Sequence, residues 1–127
     1  MVAEQNSASA GLLGTGQRLA NEVGGQHVVL VAGATDSEFA NYVSQFAGRV
    51  VTNDSADLGS SPSEGWLNFV AATSKAEDPA AILLANDTLS QEITPRLAHR
   101  LDGSSIGDAH AIKASDGHLV VTRSVYG

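Results

Sequence analysis

The stretch Ile82-Leu83-Leu84-Ala85-Asn86-Asp87-Thr88, running on into Ile93-Thr94-Pro95-Arg96-Leu97-Ala98-His99-Arg100-Leu101, decides the fold. A short apolar run gives way to small polar residues, and a helical pattern follows. Leu89, Ile93, Leu97 and Leu101 recur every fourth residue with Ala98 beside them, which makes one apolar helix face. Glu92, Arg96 and Arg100 share that spacing on a polar face, so Glu92 is expected to pair with Arg96 one turn on. The unit is strand, loop, helix.

Outward from that stretch the same unit recurs. His27 to Val31 is an unbroken apolar run ending in Ala32-Gly33, the pattern of a strand buried on both faces. Asp36 or Ser37 is placed to cap a helix carrying Phe39, Tyr42, Val43, Phe46 and Ala47, which Gly48 ends. Arg49-Val50-Val51-Thr52 is the next strand. After the polar connection from Ser55 to Pro62, Ser63-Glu64-Gly65 opens a helix with Trp66, Leu67, Phe69, Val70 and Ala71 that stops near Asp78-Pro79. Ala80 to Ala85 then reads as a fourth strand.

Upstream, Met1 to Glu4 reads as the end of a first strand and Asn6 to Gly14 as a loop rich in Ser, Ala and Gly. Thr15 to Val23 fits a helix closed by Gly24-Gly25. Two starts fit the helix around Pro95: Thr94 as cap with Pro95 at the first position, or an earlier turn. Ser105 to Ala114 and Leu119 to Val125 are β-prone and flank the turn signal Ser115-Asp116-Gly117. The pattern predicts an α/β fold over residues 1–127 as a single domain. Its architecture is a three-layer, open, mostly parallel sheet with helices on both faces and a closing β hairpin or edge strands.

Fourteen acids against seven bases give a net charge of -7, with no basic cluster, so no nucleic acid is expected as a partner. The absence of cysteine excludes disulfides, thiolate metal sites and cysteine nucleophiles. Met1-Val2-Ala3-Glu4-Gln5-Asn6 has no basic segment or apolar core of a signal peptide. No apolar run approaches the roughly 20 residues that span a bilayer. No membrane partner is expected, and the location expected is cytoplasmic, or the mitochondrial matrix in a eukaryote.

In sheets of this kind ligands bind beyond the carboxyl ends of the strands. The candidate loops are Glu4 to Gly14, Ala32 to Ser37, Thr52 to Asp57 and Ala85 to Ser90. Gly11-Leu12-Leu13-Gly14-Thr15-Gly16 has three glycines at the wrong spacing for a dinucleotide or Walker phosphate loop. Asp87 is better placed to cap a helix than to admit an anion. Asp54 and Thr88 mimic two positions of a phospho-receiver domain, but the acid pair such a site needs is reduced to Glu4. His27, His99, His110 and His118 show no metal-ligand spacing, and no Gly-x-Ser-x-Gly elbow marks a nucleophile. No catalytic and no metal residues are assigned, and the cofactor-binding residues stay unknown.

Taken together, the residues resemble the N-terminal domain of the electron transfer flavoprotein alpha subunit, on an adenine-nucleotide-alpha-hydrolase-like fold. The resemblance runs through Val2-Ala3-Glu4, Leu30-Val31-Ala32-Gly33 and, most specifically, Pro95-Arg96-Leu97-Ala98-His99-Arg100-Leu101. It continues in Ile106-Gly107-Asp108-Ala109-His110-Ala111-Ile112 and in Arg123-Ser124-Val125-Tyr126-Gly127. It implies a non-catalytic component of an electron carrier, packing against a beta-type subunit and a flavin domain. FAD, with AMP as a second candidate, would be held in the full assembly. The family's Gly-Lys or Gly-Arg step before the Pro-Arg helix is Leu89-Ser90-Gln91-Glu92 here, and the sequence ends at Tyr126-Gly127, short of the flavin domain. No cofactor is therefore expected on this chain alone. Arg96, Arg100, Arg123 and Tyr126 are the interface candidates, toward a beta-type subunit or, as a homodimer, a second copy. The alternative is a stand-alone adenine-nucleotide-binding module of the universal-stress-protein kind. A hydrolase with a scattered triad is the third reading.

Overall fold

The computed structural model describes residues 7–32, 37–53 and 62–125. In chain order the elements are α1 (Ser7–Val23), β1 (Val28–Ala32), α2 (Ser37–Ser44), β2 (Arg49–Asn53), α3 (Pro62–Glu77), α4 (Thr88–Arg100), β3 (Ala109–Ser115) and β4 (His118–Arg123). β1 and β2 run parallel, with Val28 beside Arg49 and Ala32 beside Asn53.

Side chains alternate across a strand, and β1 uses both of its faces. Val29 and Val31 pack on one face with Leu13 of α1 and Val43 of α2. Leu30 packs on the other face against the cluster of Trp66, Leu67, Val70, Ala71, Ile93 and Leu97, which joins α3 to α4. Helices therefore cover both faces of the parallel pair, as the unbroken apolar run of β1 predicts. Leu67 and Ile93 keep no exposed surface, and burying a side chain of that size stabilises by about 1.5–3 kcal/mol.

Two expectations are corrected. The stretch read as a loop from Asn6 to Gly14 is helical from Ser7 onward. Its small residues suggest a connection, but Leu13, Gly16 and Leu19 are buried at helical spacing, so burial overrides the poor propensity of glycine. Gly16 has a packing reason. A Cβ there would collide with the His27 ring, meeting Cε1 at 2.9 Å, and that ring is held by its Nδ1–H donating to the Phe46 carbonyl at 2.8 Å. The second correction concerns Ala80 to Ala85, which joins no ladder among the described residues. An apolar run becomes a strand only when a neighbour pairs with it, and Ile82 is left 38% exposed. The first strand read at Met1 to Glu4 lies outside the described residues.

Of the two starts read for α4, the earlier one holds, with Asp87 as its cap. The helix begins at Thr88 and carries Pro95 in its interior. Proline has no N–H to donate back one turn, and the Thr94 hydroxyl donates to the Ser90 carbonyl at 2.5 Å in the same turn. The closing hairpin forms as expected, with an antiparallel β3–β4 ladder from Ala109 beside Arg123 to Ser115 beside His118. Asp116 (φ 49°) and Gly117 (φ 77°) both take positive φ, as a two-residue hairpin turn with the right twist requires. α1 covers the outer edge of β3. Arg18 Nη2 donates to the Ile112 carbonyl at 2.7 Å, and Glu22 Oε2 accepts from the Ala114 N–H at 3.1 Å. Arg18 and Glu22 also bond each other at 2.7 Å, so one ion pair satisfies both main-chain groups.

Candidate interface

Packing of α3 on α4 sets two matched pairs face to face. Glu64 and Asn68 lie four residues apart on α3, and Arg96 and Arg100 lie four apart on α4. Arg96 donates to Glu64 Oε1 in a short ion pair. Arg100 Nη1 donates to Asn68 Oδ1 at 2.7 Å, and its Nη2 lies 3.9 Å from Glu64 Oε2. The hydrogen bond from Arg96 holds the Glu64 carboxyl below the usual range; partial desolvation opposes it, and the Arg96 and Arg100 charges reinforce it.

The expected Glu92–Arg96 pair does not form. The α3 carboxylate takes the guanidinium instead, because helix packing holds it in place while Glu92 faces solvent. The Arg96 and Arg100 side chains remain 40% and 38% exposed, so each braces α3 with one edge and presents the other to solvent. Arg123 sits at the end of β4 beside Ala109, exposed, and no hydrogen bond or ion pair joins it to the Glu64 cluster. Tyr126 lies outside the described residues. The structure thus unites Arg96 and Arg100 and leaves Arg123 on a different element. Sequence reasoning missed Glu64 and Asn68, although their spacing on α3 matches that of the two arginines on α4.

The loop before α4 is arranged as a cap. Asp87 is extended (φ -120°, ψ 170°), and its Oδ1 accepts from the Ser90 N–H at 2.7 Å. Its carboxylate thereby occupies the amide end of α4, where an anion would otherwise bind. Asn86 donates to Asp108 Oδ1 at 3.3 Å and accepts from Gln91 Nε2 at 2.9 Å, which brings a second carboxylate to the loop. Phosphate would meet two acids there.

The glycines at 11, 14 and 16 belong to α1 and form no loop. Most of the Ala32–Ser37 and Thr52–Asp57 loops, Asp54 included, lies outside the described residues. Among the described residues no three His, Asp or Glu side chains are grouped for a metal ion. His27 bonds the Phe46 carbonyl, and His99, His110 and His118 are exposed.

Fold and site together define an α/β domain whose charged groups brace one helix against another and cap a helix end, an arrangement suited to contact. The family model for the electron transfer flavoprotein domain matches residues 2–127, and the chain belongs to that family. It is 25% identical over 80 residues to the electron transfer flavoprotein subunit alpha of Bacillus subtilis (strain 168), covering 63% of this chain and 25% of that protein. It is also 23% identical over 126 residues to Protein FixB of Clostridium saccharobutylicum, covering 98% of this chain and 38% of that protein. The chain thus spans 25% to 38% of the length of these curated relatives. No solved structure gives a significant match. No described helix is long and apolar enough to cross a membrane.

Proposed function

We propose that the chain is a non-catalytic component of an electron-transfer-flavoprotein-like carrier, corresponding to the N-terminal domain of the alpha subunit. In this reading it packs against a beta-type subunit and a flavin domain, and FAD resides in the assembly. The observation that carries it is the family match over residues 2–127. The geometry at α4 supports it. Asp87 fills the helix end that a nucleotide phosphate would need, while Arg96 and Arg100 stand braced and half-exposed one turn apart.

Arg96, Arg100 and Arg123 are the contact residues proposed for the partner, together with Tyr126, which follows Arg123 closely in sequence. A guanidinium already oriented by Glu64 loses less rotamer freedom on meeting a second carboxylate. The test is the chain itself, purified and titrated with FAD, AMP and ATP while its melting temperature is followed. The expected result is a colourless protein whose melting temperature does not move. A rise that continues as nucleotide exceeds its dissociation constant would instead identify an adenine-nucleotide module.

A further inference from the structure

Two Asp-Gly steps occur in the chain, Asp102-Gly103 and Asp116-Gly117. Glycine has no side chain to shield its amide nitrogen, so that nitrogen can reach the carboxyl carbon of the aspartate before it. Both aspartates hold a left-handed backbone, with φ 54° at Asp102 and 49° at Asp116. By sequence and local conformation the two steps are alike; their surroundings separate them.

Asp102-Gly103 is locked into a helix end. The Gly103 N–H donates to the Ala98 carbonyl at 2.8 Å, and the Asp102 N–H donates to the His99 carbonyl at 3.3 Å. α4 is in turn held by Ile93 and Leu97 in the cluster it shares with α3. Freeing the Gly103 nitrogen means unwinding the end of a packed helix.

Asp116-Gly117 carries no such lock. A two-residue turn closes through the residues beside it, here Ser115 and His118. Among the described residues the Gly117 N–H makes no hydrogen bond. Both turn residues are exposed, and nothing lies within 4 Å of where a Gly117 side chain would begin. A pair of strands is marginal by itself, so this turn opens at lower cost than the end of α4.

We propose that Asp116 is a site of spontaneous main-chain modification, at which water and the chain's own atoms convert it to isoaspartate. When the turn opens, the Gly117 nitrogen attacks Asp116 Cγ. The N–Cγ bond forms, the Cγ–OH bond breaks, and the N–H proton leaves with that hydroxyl as water, which closes a cyclic imide. A second water opens the ring. Addition at Cγ breaks the new bond and restores aspartate. Addition at the Asp116 main-chain carbonyl carbon breaks the original peptide bond instead and leaves the chain running through Cγ. The product is an isomer, with no atom or electron gained or lost. Its main chain holds one extra carbon inside a two-residue turn, so Ser115 no longer faces His118 in register. The modification therefore loosens the hairpin that carries Arg123.

The test ages the full chain at neutral pH in water labelled with heavy oxygen. Isoaspartate is located by peptide mapping with mass spectrometry and confirmed by enzymatic methylation of its free α-carboxylate. In the folded chain Asp116 should convert at least about tenfold faster than Asp102. In urea the two should convert at similar rates, because the lock on Gly103 is gone. Arg18→Ala, which unfastens β3 from α1, should speed conversion at Asp116 and leave Asp102 unchanged. The converted fraction should lose exchange protection at the β3 and β4 amides while α3 and α4 keep theirs. Equal rates at the two sites in the folded chain, or faster conversion at Asp102, would overturn the proposal. So would an Asp116 that stays intact for as long as the urea-unfolded chain takes to convert, an Arg18→Ala variant that converts no faster, or a converted hairpin that stays fully protected.

Discussion

At the scale of single residues, Asp87 fixes where the final helix begins, and its carboxylate is the group to test. Asp87→Ala should cost about 1 kcal/mol, while Asp87→Asn or Asp87→Ser should recover most of it, read as shifts in urea midpoint at constant slope. Ser90 makes the opposite prediction. Its hydroxyl oxygen is buried without a partner, and removing such a group relieves a desolvation cost of about 1 kcal/mol or more. Ser90→Ala should leave stability unchanged or raise it. Gly16→Ala should be destabilising by about 1–3 kcal/mol, because the His27 ring cannot retreat while it is bonded to Phe46.

Two carboxylates give stability an acid dependence. Glu64 is held low chiefly by the Arg96 hydrogen bond, and Glu22 chiefly by the Ala114 N–H and then by Arg18. A depressed folded-state pKa contributes stability above the unfolded value, near 4.5 for glutamate. That contribution is lost as pH falls through the lower folded value. Glu64→Gln and Glu22→Gln should each shrink the gap between urea midpoints measured at neutral pH and near pH 3. A gap unchanged from the wild type would refute the assignment.

At the scale of elements, α3 and α4 are held by their shared apolar cluster, and the arginines decorate its rim. Leu67→Ala or Ile93→Ala should therefore cost about 2–5 kcal/mol. Exposed ion pairs typically contribute under about 1 kcal/mol, so Arg100→Ala should be far milder. The hairpin is attached differently. Two strands alone are marginal, and Arg18 with Glu22 fastens β3 to α1. Arg18→Ala should speed exchange of the β3 and β4 amides while those of α3 and α4 keep their wild-type rates.

The same scale shows what was legible beforehand. α3, α4 and the hairpin turn could be read because Trp66, Leu67 and Val70, or Ile93 and Leu97, carry helical spacing, and Asp116-Gly117 carries turn chemistry. α1 was obscured by three glycines, and the meaning of one of them, Gly16, lay in the His27 ring, far along the sequence. Ala80 to Ala85 had the composition of a strand, but pairing depends on a neighbour that composition does not supply. The partners of Arg96 and Arg100 lie 32 residues away in sequence. Local i, i+4 spacing pointed to Glu92; helix packing selected Glu64.

At the scale of the whole molecule, the proposed association can be tested through charge. The chain carries -7 overall, and two of its half-exposed guanidiniums, Arg96 and Arg100, lie together on α4, with Arg123 exposed at the hairpin. A complementary partner surface would be acidic at Arg96 and Arg100, and contacts of that kind set association rate and salt dependence more than total affinity. Arg100→Glu should slow association and weaken its salt dependence while leaving the chain folded.

The most direct test mixes the purified chain with the beta-type subunit and flavin domain encoded by the same genome, then follows protein and flavin absorbance through size exclusion. The account predicts one co-eluting complex that carries the flavin, with none on this chain run alone. Flavin retained by the isolated chain, or a chain that elutes apart from a flavin-loaded partner, would contradict it.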